Sequence, residues 1–198
     1  MKIALITNSR IPSLTANSIQ AMKVAQALMQ IGHEVRMFAP RETEPATHES
    51  LMTHYGLRFV PEVELLPSIK RLKRLDFIVH AQRAARTFGA ELIYTWLPQS
   101  AALGLWMKYP VILEMHADVT GLMGAWWLRQ FWNAKGKKKM TVTTSALRNA
   151  LERSTKLKLK NEAVVVAPNG VELERYENLP SPAEARRPLN LPEGHTAG

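Results

Sequence analysis

His116 and Glu114 are the first side chains in this 198-residue sequence whose type and spacing point to chemistry. Both belong to the apolar run Val111–His116 (VILEMH), which reads as a central strand, and residues two apart on a strand share a face. In an open α/β sheet the carboxyl ends of the strands border the ligand crevice, so a polar side chain placed there points at whatever is bound. A histidine hydrogen-bonded within its own loop is the competing structural reading. Asp118, two residues further on, either meets a ligand's hydroxyls or shapes the turn. Ser9, Arg10 and Asn17 fall in the loop after the first strand, where Arg10 offers a fork for a phosphate or carboxylate. Asn169 and Gly170 follow the last strand. Glycine there permits a close backbone approach or a positive φ, and an ordinary turn explains it as well.

What is missing narrows the chemistry. There is no cysteine, so disulfides, thiolate nucleophiles and thiolate metal sites are excluded, and the composition fits a reducing compartment. The six histidines (His33, His48, His54, His80, His116 and His195) include no helical pair with an adjoining carboxylate of zinc-site type, so no metal is expected. His33, at a helix-to-strand turn, reads as structural. No glycine precedes Gly32, which removes the dinucleotide fingerprint, and the first loop has no Gly-Lys-Ser/Thr ending. Pro40 and Arg41 stand where an acidic ribose ligand would close the second strand. No nicotinamide or ATP cofactor is expected.

The elements that must position these residues alternate along the chain. Lys2–Ile6 reads as a strand, and Asn17 or Ser18 caps a helix running to about Ile31, which Gly32 ends. Glu34–Phe38 is the next strand, and the crossover between the two should be right-handed. Ala39–Leu51 reads as loop, and Leu57–Leu65 holds a short strand broken by Pro61. Ser68–Phe88 is a helix whose Leu72, Leu75, Ile78 and Val79 make an apolar face; Gln82 interrupts it, and Ala81, Ala85 and Phe88 continue it. Then come a strand at Leu92–Trp96, a helix from Pro98 to about Met107, the strand Val111–His116 and a helix over Thr120–Asn133. On that last helix Met123, Trp127 and Phe131 share one stripe. A lysine loop (Lys135–Lys139), a strand at Met140–Thr144, a helix opening at Ser145 and a strand at Ala163–Ala167 follow. The alternation predicts the α/β class: a doubly wound, mostly parallel Rossmann-like sheet with helices on both faces. Residues 1–178 read as one domain. Residues 179–198, with four prolines and little apolar periodicity, read as an interdomain linker and the start of a second domain.

Three stretches then carry a resemblance. MKIALITNSRIPSLTANSIQAMKVAQALMQIGHEVRMFAP leads into its second strand with GHEV, VILEMHADVTG ends a strand in a histidine, and TTSALRNALE precedes VVVAPNGVELERY. In this order they resemble family 4 glycosyltransferases of the GT-B fold, in which two such domains face a cleft. The resemblance implies that this chain is the N-terminal half, which mainly binds the acceptor, while a C-terminal half binds the nucleotide-sugar donor. It implies a retaining transferase of hexosyl type, acting from a nucleotide-diphosphate sugar on a glycan or lipid-linked acceptor, with this half inactive alone. By resemblance His116 lies near the donor sugar as the catalytic-site residue, with Glu114, Asn169 and Gly170 close to the donor. Ser9, Arg10, Asn17 and Asp118 then become acceptor-binding. Many members carry a Gly-Gly pair in the first loop; this chain has Leu14-Thr15-Ala16-Asn17, so contact to the donor phosphates by that route is not implied. With Asp76 and Asp118 the only aspartates, the Asp-x-Asp metal motif of the other large glycosyltransferase fold is impossible, and metal-independent chemistry is expected. Other readings are a freestanding basic module for anionic membrane or polyanion, and half of a sugar-nucleotide epimerase.

Net charge of +9 suits an anionic partner, or an acidic remainder of a longer protein. The basic helix Lys70–Arg86, and Trp126, Trp127 and Trp132 beside Lys135–Lys139, suit a headgroup-level membrane surface, although such a charge run can equally be a solvated face. No nucleic-acid module is readable, so nucleic acid is not an expected partner. Ile3–Ile6 is too short for a signal-peptide core, and no run approaches the ~18–20 apolar residues of a membrane span. The expected location is cytoplasmic, with peripheral contact on the inner face of the membrane as an option.

Overall fold

A computed structural model describes residues 1–42, 44–69, 75–171 and 177–190. Its strands are the apolar runs of the sequence: β1 (Lys2–Ile6), β2 (Glu34–Pro40), β3 (Glu62–Leu66), β4 (Leu92–Thr95), β5 (Val111–Met115), β6 (Lys138–Val142) and β7 (Val164–Val166). Between them lie the helices α1 (Ala16–Gln30), α2 (His48–Tyr55), α3 (Leu75–Phe88), α4 (Pro98–Trp106), α5 (Gly121–Asn133) and α6 (Ser145–Thr155). The strands form one parallel sheet in the order β3-β2-β1-β4-β5-β6-β7, so the winding reverses between β1 and β4. That reversal opens a crevice at the carboxyl ends of the strands.

Both faces of the sheet are covered, and β1 shows how. Ile3 and Leu5 enter one cluster with Met22, Leu51 and Tyr55 of α1 and α2, while Ala4 and Ile6 enter the other with Phe77, Leu128 and Phe131 of α3 and α5. Period-two alternation thus feeds two cores from one strand. At Gly104 a Cβ would lie 3.0 Å from Ile93 Cδ1 and 3.1 Å from Val111 Cγ2, so glycine lets α4 sit close against β4 and β5. Residues Met1–Ala167 form this unit. Pro168–Gly198 form a second, in which Ser181 and Glu184 build a capping box for a short helix, α7 (Pro182–Arg186). Hydrogen bonds from Ser181 hold the Glu184 carboxyl below its usual range.

Several expectations are corrected. Helix α1 starts at Ala16 with Thr15 as N-cap, not at Asn17 or Ser18; Ser18 is buried and donates to the carbonyls of Ser13 and Thr15. The segment read as loop, Ala39–Leu51, contains the first half of α2, a helix that buries Leu51 and Tyr55. On α3 the buried side is Phe77, Ile78, Ala81, Gln82, Ala85 and Phe88, while Leu75 and Val79 are exposed. Gln82 is no interruption, because its amide donates to the Ser100 carbonyl at 2.9 Å and joins α3 to α4. The expected residues 70–74 of this helix, which hold Leu72 and four of its basic side chains, lie outside the described residues, as do Glu172–Tyr176 and 191–198.

On α5 the core takes Ala125, Leu128 and Phe131, leaving Met123 exposed and Trp127 half-buried. Strand β6 begins two residues before its expected start. Lys138 is a strand residue whose ammonium donates to the carbonyls of Phe131, Trp132 and Ala134 at the end of α5, and burial pushes its pKa down. Thr144 rather than Ser145 caps α6, accepting from the Leu147 N–H at 3.0 Å.

Candidate functional site

A cavity of about 520 Å³ lies at the carboxyl edge, where the winding of the sheet reverses. Its walls come from four segments: Thr7, Asn8 and Ser9 after β1; Asn17 and Gln20 on α1; Trp96 to Gln99 leading into α4; and Glu114 to Thr120 leading into α5, with Gly124. The first loop reaches it because its other end is pinned elsewhere. Ile11 is buried in the α1–α2 core, and the Ser13 N–H donates to the Tyr55 hydroxyl at 2.8 Å.

Glu114 is the organising group. It is 8% exposed and accepts hydrogen bonds from the Tyr94 hydroxyl and from His116 Nε2, with Gln20 Nε2 at 3.5 Å. Tyr94 belongs to the neighbouring strand, since β4 pairs with β5 in parallel. Burial pushes its phenol far above the ordinary tyrosine range, and the charge on Glu114 and their hydrogen bond reinforce this. The phenol therefore remains a donor, and Glu114 an acceptor held from two sides. With Nε2 committed to Glu114, Nδ1 is the nitrogen of His116 left for a ligand.

Three helices meet the cavity with their first turns, and they share a deficit. Thr15, Leu97 and Thr120, the N-caps of α1, α4 and α5, make no side-chain cap, and none of these helices has an acidic residue in its first turn. By contrast α2 and α6 are capped by the hydroxyls of Thr47 and Thr144. Uncapped N-termini leave backbone N–H groups and partial positive charge unanswered, the arrangement that receives anions. Gln99 adds an acceptor, because its Oε1 is buried without a partner among the described residues.

Of the candidates from sequence, Ser9, Asn17, Glu114, His116 and Asp118 line this one cavity. Ser9 is fixed by Thr7, whose hydroxyl donates to Ser9 Oγ at 3.0 Å and accepts from the Ser9 N–H at 3.1 Å. Asp118 accepts from the Val119 N–H and from Ser154 Oγ at 2.7 Å, so it ties the loop to α6 while bordering the cavity. Arg10 is exposed and is not among the lining residues. Asn169 and Gly170 belong to the second unit, and Gly170 does not adopt a positive φ. Sequence reasoning missed Tyr94, Gln20, Trp96 and Gln99. The available signal was that Tyr94 and Trp96 alternate on a strand facing the VILEMH strand, and that Leu97-Pro98 opens a helix with no capping side chain.

The profile of the family described as Glycosyltransferase Family 4 matches residues 18–175. Among solved structures, the chain is similar to a sucrose-phosphate synthase from Thermosynechococcus elongatus, with 18% identity and a TM-score of 0.64 over 96% of this chain and 53% of that one. It is also similar to HepE of Anabaena, solved with UDP and glucose, at 16% identity and a TM-score of 0.60 over 96% and 50% of the two chains. A UDP-GlcNAc 2-epimerase from Methanocaldococcus jannaschii shares the fold at 11% identity and a TM-score of 0.58, over 84% of this chain and 46% of that one. The chain thus spans about half the length of the structures it matches. No curated protein sequence matches it.

Proposed function

This chain belongs to glycosyltransferase family 4, and we propose that residues 1–178 are the acceptor-binding domain of a retaining hexosyltransferase using a nucleotide-diphosphate sugar. Residues 179–198 are then a linker to a donor-binding domain, and the acceptor is a glycan or a lipid-linked saccharide. One observation carries this reading: the Glu114–His116 pair and three uncapped helix N-termini converge on a single cavity. Sugar transfer from a nucleoside diphosphate builds negative charge on the departing phosphate. Fixed N–H groups and helix dipoles stabilise such charge without reorganising at the moment of reaction. In a front-face displacement the leaving phosphate itself takes the acceptor proton, so no strong side-chain base is required. The chain's residues then position the partners: Ser9, Asn17 and Asp118 toward acceptor hydroxyls, and His116, oriented by Glu114, toward the donor sugar.

The test uses the protein in which this chain is joined to a second α/β domain, assayed against a panel of nucleotide-diphosphate sugars. His116→Ala should lower kcat about 100- to 1,000-fold with little change in thermal stability. Normal kcat in that variant would sink the assignment. Release of an epimerised nucleotide sugar with no acceptor present would favour the epimerase reading.

A further inference from the structure

Helices α4 and α5 turn one side to the sheet and, among the described residues, leave the other uncovered, and the uncovered side is continuous. Trp106 is 50% exposed and Trp126 42%, and the half-buried Trp127 joins them. Its ring centre lies 6.0 Å from that of Trp106 and 4.6 Å from that of Trp126. Met107 extends this surface at one end; Met123 and Leu122, the latter 91% exposed, extend it at the other. Leu122 and Trp126 lie four residues apart, hence on one side of α5. Helix α4 has no charged residue, and α5 has Arg129 alone, whose guanidinium is turned to the Thr155 carbonyl. Monomeric proteins rarely leave so many large apolar side chains contiguous without a partner.

Charge says which partner. Between Trp96 and Glu152 the only acidic residues are Glu114 and Asp118, and both face the cavity. The same stretch holds Lys108, Arg129, Lys135, Lys137, Lys138, Lys139 and Arg148. Lys138, Lys139 and Arg148 are spent on backbone carbonyls. Lys108, Lys135 and Lys137 stay exposed. Lys108 directly follows Met107, and a Cβ at Gly136 would lie 3.2 Å from Leu105, so the Lys135–Lys137 turn sits against the end of α4 beside Trp106. A second copy of the chain would bring these lysines against each other, and its net charge of +9 opposes such pairing. Tryptophan and methionine flanked by lysine, without carboxylates, match the headgroup level of an anionic bilayer. Among the described residues no helix is long and apolar enough to cross a membrane, so the contact is with its surface.

We propose that the outer face of α4 and α5, from Met107 to Leu122, is a docking surface for an anionic lipid bilayer. It begins at the cavity mouth, since Thr120 and Gly124 line the cavity while Leu122 and Met123 project from the same turn. A lipid-linked acceptor would thus reach the cavity without leaving the membrane. That last step alone rests on the proposed sugar transfer; the docking surface does not.

The test is co-sedimentation of the 198-residue chain with phosphatidylcholine vesicles, with and without phosphatidylglycerol, read together with tryptophan emission. Binding to the phosphatidylglycerol vesicles with a blue shift, released by salt, is expected. Each lysine near the surface contributes about fivefold to partitioning, so Lys135→Glu with Lys137→Glu should lower it by well over tenfold. Leu122→Ser and Trp126→Ser should each weaken binding. Leu122 is too exposed for its replacement to disturb the fold, and it decides the matter if the tryptophan variant misfolds. Absence of binding, equal binding to phosphatidylcholine alone, or binding untouched by Leu122→Ser overturns the proposal. So does binding lost only on charge reversal at Arg83 and Arg86 of α3, or self-association that Leu122→Ser abolishes in place of vesicle binding.

Discussion

The cavity and the tryptophan face are built on the same two helices, yet their side chains are held in opposite ways. At the cavity, Glu114 is gripped by Tyr94 and His116, Ser9 by Thr7, and Asp118 by Ser154. Glu114 and Ser9 are almost removed from water, so each must be answered by a polar partner. On the outer face, Leu122, Met123, Trp106 and Trp126 meet solvent, and ring contacts with Trp127 join the two tryptophans. The contrast separates two uses of a surface. Chemistry on a small ligand needs fixed geometry, whereas contact with a broad partner needs area and charge.

The comparison can be broken most forcefully within α5, where one helix carries both a core side and an outer side. Phe131 is fully buried, so Phe131→Ala should cost about 3–5 kcal/mol through lost burial and the cavity left behind. Trp126→Ala, five residues earlier and facing out, should cost about 1 kcal/mol or less, the worth of its edge contact with Trp127. Urea unfolding of the two variants reads the difference directly. Similar losses would mean that the outer face is part of the core.

At the cavity the expected effect is smaller but more specific. Glu114→Ala removes the acceptor of both Tyr94 and His116, and a stranded buried hydroxyl costs about 1–3 kcal/mol. Glu114→Gln keeps one acceptor oxygen and should lose less. If both variants melt with the unchanged protein, the carboxylate is not answering its neighbours, and the cavity is no more constrained than the tryptophan face.

The legibility of the two regions differed for a physical reason. Central parallel strands are buried on both faces, so LIYT and VILEM announce themselves as nearly continuous apolar runs, and with them the fold class and the strand-end place of His116 and Glu114. Tyr94 was not legible as a site residue, because its partner is 20 residues away and only the β4–β5 pairing brings them together. Helix α2 was hidden since its eight residues bury only Leu51 and Tyr55, a single i, i+4 pair behind a proline-punctuated stretch. The lysine run misled in the other direction. Lys138 looked like loop, yet its stem runs within β6 and its ammonium closes the carboxyl end of α5. A basic run read by charge alone conceals which of its members are already engaged.

The last test sharpens the comparison through pH, because among the described residues the cavity side holds a buried ionisable network and the tryptophan face holds none. Tyr94 keeps its proton in the folded chain well beyond the point at which an unfolded tyrosine loses it, at a pH of about 10. Below that value both states bind the proton, and the stability due to Tyr94 is fully present. Above it the unfolded state releases a proton that the folded state retains. Unfolding is then favoured by about 1.4 kcal/mol per pH unit until the folded phenol also ionises. Lysines and the other tyrosines titrate in the same range, so the observable is a difference: the unfolding free energy of the unchanged chain minus that of Tyr94→Phe. This difference should be flat up to about pH 9 and fall by up to about 1.4 kcal/mol per unit above about pH 10, as the Phe variant has no proton to lose there. Trp126→Ala, on the other side of the same layer, should leave the alkaline slope untouched. A Tyr94 difference that stays constant to about pH 11 would mean that the phenol ionises alike in both states, and that Glu114 is not held from the β4 side.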